Sequence, residues 1–140
     1  MNVLKDISNN NQFYNNPKNT IPQKNGNQVN ELIEESKKTK TLNLLGINLN
    51  SLSNFGLSSL VMITNLILDN NNLNSFPNEI QKLKNLKKIS AKCNHLSFFP
   101  DVLFSHSNLE ELDLSFNCIN SIPYQIKNLR NLIVKKSFFN

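Results

Sequence analysis

The chain has 140 residues, enough for one domain with tails, and a net charge of +5. Its basic residues are scattered and no basic run alternates with aromatic residues, so the charge does not indicate a nucleic-acid partner. No apolar run is long enough to span a membrane, and residues 1–6 lack the apolar region of a secretory signal. The two cysteines stand at unmatched positions, which does not suggest a disulfide. Together these features favour a cytoplasmic protein without membrane insertion.

The first segment, residues 1–26, is rich in Asn, Lys and Gln, and its apolar residues follow no period. Such a segment buries too little apolar surface to offset the entropy lost on ordering. We therefore predict a disordered, Asn-rich tail. The bias is not confined to the tail, since asparagine makes up about a fifth of the whole chain.

A short amphipathic helix is predicted next, over residues 27–38. Val29, Leu32 and Ile33 fall at i, i+3 and i+4, on one helical face. Glutamates precede Lys37 and Lys38, the order that the helix dipole favours. Stacked repeats leave an open apolar end, so we predict that this helix caps it. A helix that binds a partner is the alternative.

A 23-residue repeat dominates residues 39–132. Three stretches, beginning at Ile63, Leu86 and Leu109, share the pattern L-x-x-L-x-L-x-x-N-x-L-x-x-L-P-x-x-I-x-x-L. A period of this length is typical of stacked units that cannot bury their apolar side alone. Such an arrangement supplies a surface, which favours binding over catalysis.

The repeat is less regular at both ends. The first unit has Ile47 where later units have asparagine, and it is one residue longer. Residues 133–140 begin another unit in which Lys135 and Ser137 replace core leucines. We predict a degenerate or truncated last repeat there.

Each position of the repeat predicts a structural role. The x-L-x-L-x part alternates, so it predicts a short strand with inward leucines, and successive units would place these strands side by side in parallel. An inward amide after each strand can satisfy backbone groups that the turn leaves unpaired. Proline then begins the return segment, where a helical turn needs no N–H donor. The recurring residues are Asn71, Asn94 and Asn117, then Pro77, Pro100 and Pro123.

These residues resemble the leucine-rich repeat family, in its 23-residue intracellular type with the L-P-x-x-I-x-x-L return. The resemblance implies an α/β leucine-rich repeat solenoid of about four repeats, with short parallel strands on its concave face and an N-terminal capping helix. It also implies protein binding through that face, without a cofactor. The leader E-L-I-E-E-S-K-K and the stretch P-N-E-I-Q-K-L-K-N-L are similar to Ras suppressor proteins. That similarity implies a cytoplasmic adaptor in Ras-linked or cell-adhesion signalling.

Outward residues of the predicted strands form the candidate protein-binding face. Leu45, Ile67 and Phe116 are apolar where water is expected, and exposed apolar groups beside charges are typical of binding surfaces. The predicted protein-binding residues are Asn43, Leu45, Asn65, Ile67, Asp69, Lys88, Ser90, Lys92, Glu111, Asp113, Ser115 and Phe116.

Opposite charges occupy matching positions on this face. Lys88 and Glu111 share one repeat position, and Lys87 and Glu110 share another, so each pair is predicted to lie on adjacent strands. One hypothesis is that these charges orient a charged protein partner. The alternative is that they only fix the register between repeats.

No catalytic arrangement is found. The carboxylates cluster without a histidine placed as a base, no phosphate-binding loop occurs, and the two histidines form no metal motif with the cysteines. His106 stands at a core position, which is typical of a buried, hydrogen-bonded side chain.

We therefore expect a non-catalytic protein-binding module or adaptor. Its hypothetical partner is a Ras-like small GTPase or a cytoskeletal or adhesion signalling protein. The alternative is a truncated or decayed fragment of a longer leucine-rich repeat protein, without independent function. The sequence predicts no oligomeric state.

Overall fold

The computed structural model of the chain describes residues 26–53 and 55–136. One helix, α1 (Gly26–Thr39), exceeds the predicted range by one residue at each end. The predicted disordered tail lies outside the described residues, except for Gly26, which begins α1. Five three-residue strands follow: β1 (Thr41–Asn43), β2 (Asn65–Ile67), β3 (Lys88–Ser90), β4 (Glu111–Asp113) and β5 (Val134–Lys136).

The five strands form one parallel sheet in chain order. Equivalent repeat positions lie opposite each other, so Leu66 pairs with Ile89 and Ile89 with Leu112. The predicted degenerate last repeat also contributes a strand, in which Lys135 pairs with Leu112. Strand pairing uses backbone groups, so it does not require a leucine at this position.

The return segments each contain a short 3₁₀ helix. The proline stands immediately before this helix in extended conformation, not within its first turn. Its carbonyl accepts the first helical hydrogen bond, as in the 3.2 Å contact from the Ile80 N–H to Pro77. Proline therefore sets the entry to the turn. In the described part of the chain the 3₁₀ helices are Leu57–Ser59, which follows Gly56, and the three that follow a proline, Asn78–Lys82, Asp101–Ser105 and Tyr124–Asn128.

Inward side chains of the strands and return segments form one core. As the alternation predicts, the central residue of each of β1–β4 and the residue two positions later are buried, and α1 packs against β1. Leu32 and Ile33 of the helix are partly buried on the core, and the buried Ser36 hydroxyl donates to the Ile33 carbonyl at 2.7 Å. These inward residues, within the strands and just after them, are Leu42, Leu44, Leu66, Leu68, Ile89, Ala91, Leu112 and Leu114.

A ladder of buried asparagines ties each turn to the preceding unit. In the third unit the Asn94 amide donates to the Leu68 carbonyl at 2.9 Å and to the Ala91 carbonyl at 3.1 Å. Its oxygen accepts the Leu73 N–H at 3.0 Å. Asn71 and Asn117 make equivalent contacts. The recurring asparagine therefore has the predicted structural role.

A second asparagine series was not predicted. The amides of Asn85, Asn108 and Asn131 donate to carbonyls 24 residues earlier, at 2.8, 3.4 and 2.9 Å. All three are exposed, and they also recur every 23 residues. Because asparagine is common throughout the chain, the 23-residue spacing of these three residues does not stand out in the sequence.

His106 occupies the expected core position and is only 1% exposed. Its Nε2 lies 3.0 Å from the Ile80 carbonyl of the preceding unit. Burial lowers the pKa of His106 below its ordinary value of 6.5, despite the opposing effect of this carbonyl. The fold therefore favours the neutral ring.

We expect the protein to lose stability as the pH falls from 7.5 to 5.5, partly through His106. The unfolded ring protonates near its ordinary pKa of 6.5 and the folded ring only at lower pH, so the unfolded state binds more protons in this range. The free energy of unfolding, measured with denaturant at each pH, should depend less on pH in His106→Leu. His95→Gln, which alters an exposed histidine, is the control. An unchanged pH dependence in His106→Leu would contradict this account.

Candidate protein-binding face

The outward side chains of the strands lie in rows across the sheet. We call these rows the sheet face. Strand register places Asn65, Lys88 and Glu111 in one row. A depression of about 250 Å³ lies over β2, β3 and β4. The other two rows are Asn43, Ile67, Ser90 and Asp113, and Leu45, Asp69, Lys92 and Ser115.

The predicted charge pairs form across β3 and β4. The Lys88 Nζ lies 2.6 Å from Glu111, and the Lys87 Nζ lies 2.9 Å from Glu110. The hydrogen bond to Glu111, together with its charge, raises the pKa of Lys88. Because each lysine has a partner within the chain, this geometry favours the register interpretation over a free charged ridge.

Asp69 differs from the other predicted face residues because it is buried, with only 8% exposed. Its Oδ1 accepts the Ser90 hydroxyl at 2.7 Å and the Lys92 N–H at 2.9 Å, and its Oδ2 lies 3.4 Å from the Lys92 Nζ. The next unit closes over this carboxylate where β2 ends. The expectation that Asp69 is open to a partner is therefore corrected: Asp69 holds two neighbouring face residues in place.

The half of the sheet face over β1 and β2 exposes apolar side chains in place of ion pairs. Leu45 is 50% exposed and Ile67 is partly exposed. The Asn43 oxygen accepts the Leu45 N–H at 3.1 Å, and the Asn65 amide donates to the Thr41 hydroxyl at 3.1 Å. A partly apolar area, bordered by Glu35 of α1 and by the buried Asp69, thus lies beside the paired charges.

Phe116 is not a member of these rows. It follows the last outward residue of the fourth unit, has a φ of 58° and is 63% exposed. It lines a separate depression at the carboxyl ends of the strands, with Asn70, Asn72 and His95. The sequence analysis did not assign Asn70, Asn72 or His95 to any surface. The repeat offered a signal, because positions 70, 93 and 116 are one period apart and so lie side by side.

The described residues offer little support for other chemistry. They contain no group of three or more His, Cys, Asp or Glu side chains that could hold a metal. Cys93 and Cys118 are free thiols, and burial, together with the Asp69 charge, raises the pKa of Cys93. The thiol form of Cys93 is thus favoured at neutral pH. In the described ranges, no helix has the length and apolar content to cross a bilayer.

Comparisons with known proteins point to one fold. No family model matches the chain. It is 34% identical to rat lumican over 112 residues, which are 74% of this chain and 33% of lumican. A match to Podospora anserina adenylate cyclase, 33% identical, covers 60% of this chain but only 4% of that protein, so it does not indicate catalysis here.

A solved structure supports the same conclusion. An LRR protein of Leptospira interrogans matches with a TM-score of 0.56 and 25% identity, over 71% of this chain and 32% of that one. The chain thus spans about a third of the length of rat lumican and of the Leptospira protein. Together, these matches and the stacked parallel strands support a leucine-rich repeat fold for this chain.

Proposed function

We propose that the chain is a non-catalytic protein-binding module or adaptor that takes its partner on the sheet face. The observation that carries the proposal is the exposure of Leu45 and Ile67 beside the paired charges of β3 and β4. An apolar area bordered by polar groups is the usual composition of a protein interface. Leucine-rich repeat proteins commonly bind proteins in this way, and the curved solenoid they form would make this face concave.

The proposed partner class is a Ras-like small GTPase or a cytoskeletal or adhesion signalling protein, and the proposed location is the cytoplasm. The support for this finer proposal is the sequence resemblance to Ras suppressor proteins and to the 23-residue intracellular repeat type. The leader before the first strand and the stretch Pro77–Leu86 carry that resemblance.

Ile67→Glu is expected to weaken partner binding at least tenfold, because a charge replaces the central apolar contact. The matched control is Asn74→Glu, which adds the same charge at an exposed position outside the sheet face. Biolayer interferometry against a Ras-like GTPase loaded with GTP or GDP measures both variants. Equal affinities for the two variants would contradict the proposed face.

Failure of both loaded forms to bind the wild-type chain would reject the GTPase class. Affinity capture from cytoplasmic extract then tests the general proposal with the same variants. The expected result is a protein captured by wild type and Asn74→Glu but lost with Ile67→Glu. Capture that is identical for all three would overturn the proposal.

Partner binding and thermal unfolding, measured together, decide whether the ion pairs only fix the register of the repeats or also contact the partner. Lys88→Glu places two acids side by side, and adding Glu111→Lys restores the pair with reversed polarity. If the pair only fixes register, the double variant recovers both the midpoint of thermal unfolding and partner binding, which is the expected result. A double variant that recovers its unfolding midpoint but not its partner binding would show that the partner contacts these charges.

A further inference from the structure

The backbone at Phe116 is unusual for an aromatic residue. Its φ of 58° lies in the left-handed region, which is unfavourable for side chains with a Cβ. Equivalent positions of the other three units, Gly46, Asn70 and Cys93, also have positive φ, so the conformation belongs to this turn of the repeat. Glycine and asparagine tolerate this conformation, whereas a bulky ring does not. The fourth unit therefore keeps a 63% exposed phenylalanine, the bulkiest of the four residues, where the first two units carry residues that tolerate this conformation. Retained strain of this kind clusters at functional sites.

Phe116 lines a depression of about 440 Å³ at the carboxyl ends of the strands, which we call the carboxyl-edge groove. The ladder residues Asn71 and Asn94 also line it, and their amide contacts hold the turns of adjacent units together. Asn70 and His95 add exposed polar side chains. Among the described residues, no lysine, arginine, aspartate or glutamate lines this groove, in contrast to the sheet face.

The composition of the groove limits what can occupy it. A ligand with a formal charge would contact no opposite charge among the side chains that line the groove, although the charges of Asp69 and Lys92 act on Cys93 in its wall. An asparagine amide both donates and accepts, as a peptide group does, and a phenylalanine ring offers a flat apolar surface. These groups together suit a neutral main chain that carries an apolar side chain.

We propose that the carboxyl-edge groove binds an uncharged peptide segment. An aromatic or aliphatic side chain of the peptide packs on the Phe116 ring, and its main-chain groups hydrogen-bond to Asn70 and His95. This site is separate from the sheet face and does not depend on the function proposed for that face.

The test uses a phage-displayed library of 12-residue peptides, selected on the full wild-type chain. Enriched peptides should lack charged residues and contain an aromatic or aliphatic anchor. Synthetic copies should bind Phe116→Asn at least tenfold more weakly and Ile67→Glu unchanged. In NMR spectra, the peptide should shift the amide signals of Cys93 and His95. The absence of any enriched peptide, or equal affinity for Phe116→Asn, would overturn the proposal.

Thermal unfolding separates a binding role from a structural one. Phe116→Asn transfers the residue of the second unit to the fourth, so relief of strain should leave its unfolding midpoint unchanged or higher. A lower midpoint, with binding reduced only in proportion to the folded fraction, would show that Phe116 is merely structural. A neutral-oligosaccharide array probed with the same proteins forms the second arm. Phe116-dependent sugar binding without peptide binding would replace the proposed occupant and contradict the proposal.

Discussion

Asn94→Leu is expected to lower the free energy of unfolding by about 3 kcal/mol. The substitution removes the amide that serves the Leu68 and Ala91 carbonyls and the oxygen that accepts the Leu73 N–H. Each buried group left unsatisfied costs on the order of 1–3 kcal/mol, and added apolar contacts of leucine offset part of the total. Denaturant unfolding followed by circular dichroism measures the change.

Asn120→Leu is the matched control, because Asn120 is exposed just beyond the same kind of turn. Its free energy of unfolding should stay within about 0.5 kcal/mol of wild type. If Asn94→Leu were equally harmless, the ladder would not hold the repeats together, and the structural role assigned to the recurring asparagine would be wrong.

Leu66→Ala and Ile67→Ala should differ sharply although the two residues are adjacent in β2. Leu66 is 1% exposed in the core, so its truncation should cost about 2–5 kcal/mol through lost burial and the cavity it leaves. Ile67 points to the sheet face and is partly exposed, so its truncation should cost less than about 1 kcal/mol. Thermal and denaturant unfolding compare the two variants, and equal losses would contradict the assigned orientation of β2.

The 23-residue period and the alternation of apolar and polar residues within each unit were sufficient to predict much of the fold. Strand positions, inward leucines and the buried asparagine ladder all follow from the 23-residue repeat, because stacked units place equivalent residues side by side. The Lys88–Glu111 pair follows from the same register. These features depend on spacing along the chain, which a sequence displays directly.

The surroundings of Asp69 and Phe116 could not be predicted from the sequence. Alternation places Asp69 on the outward side, but its burial arises from the hydroxyl and N–H that the next unit brings over it. Phe116 follows the outward positions, and only the positive φ of the turn separates it from the sheet face. Both outcomes depend on contacts and backbone angles that a residue pattern does not specify.

Hydrogen–deuterium exchange of the chain, free and bound to its captured partner, tests the proposed binding face most directly. Partner binding should slow amide exchange along the outward strands and the residues that follow them, while the return segments Asn78–Lys82 and Asp101–Ser105 stay unchanged. Slowed exchange in those return segments, with none along the strands, would contradict the account. The segments expected to be protected are residues 41–45, 65–69, 88–92 and 111–115.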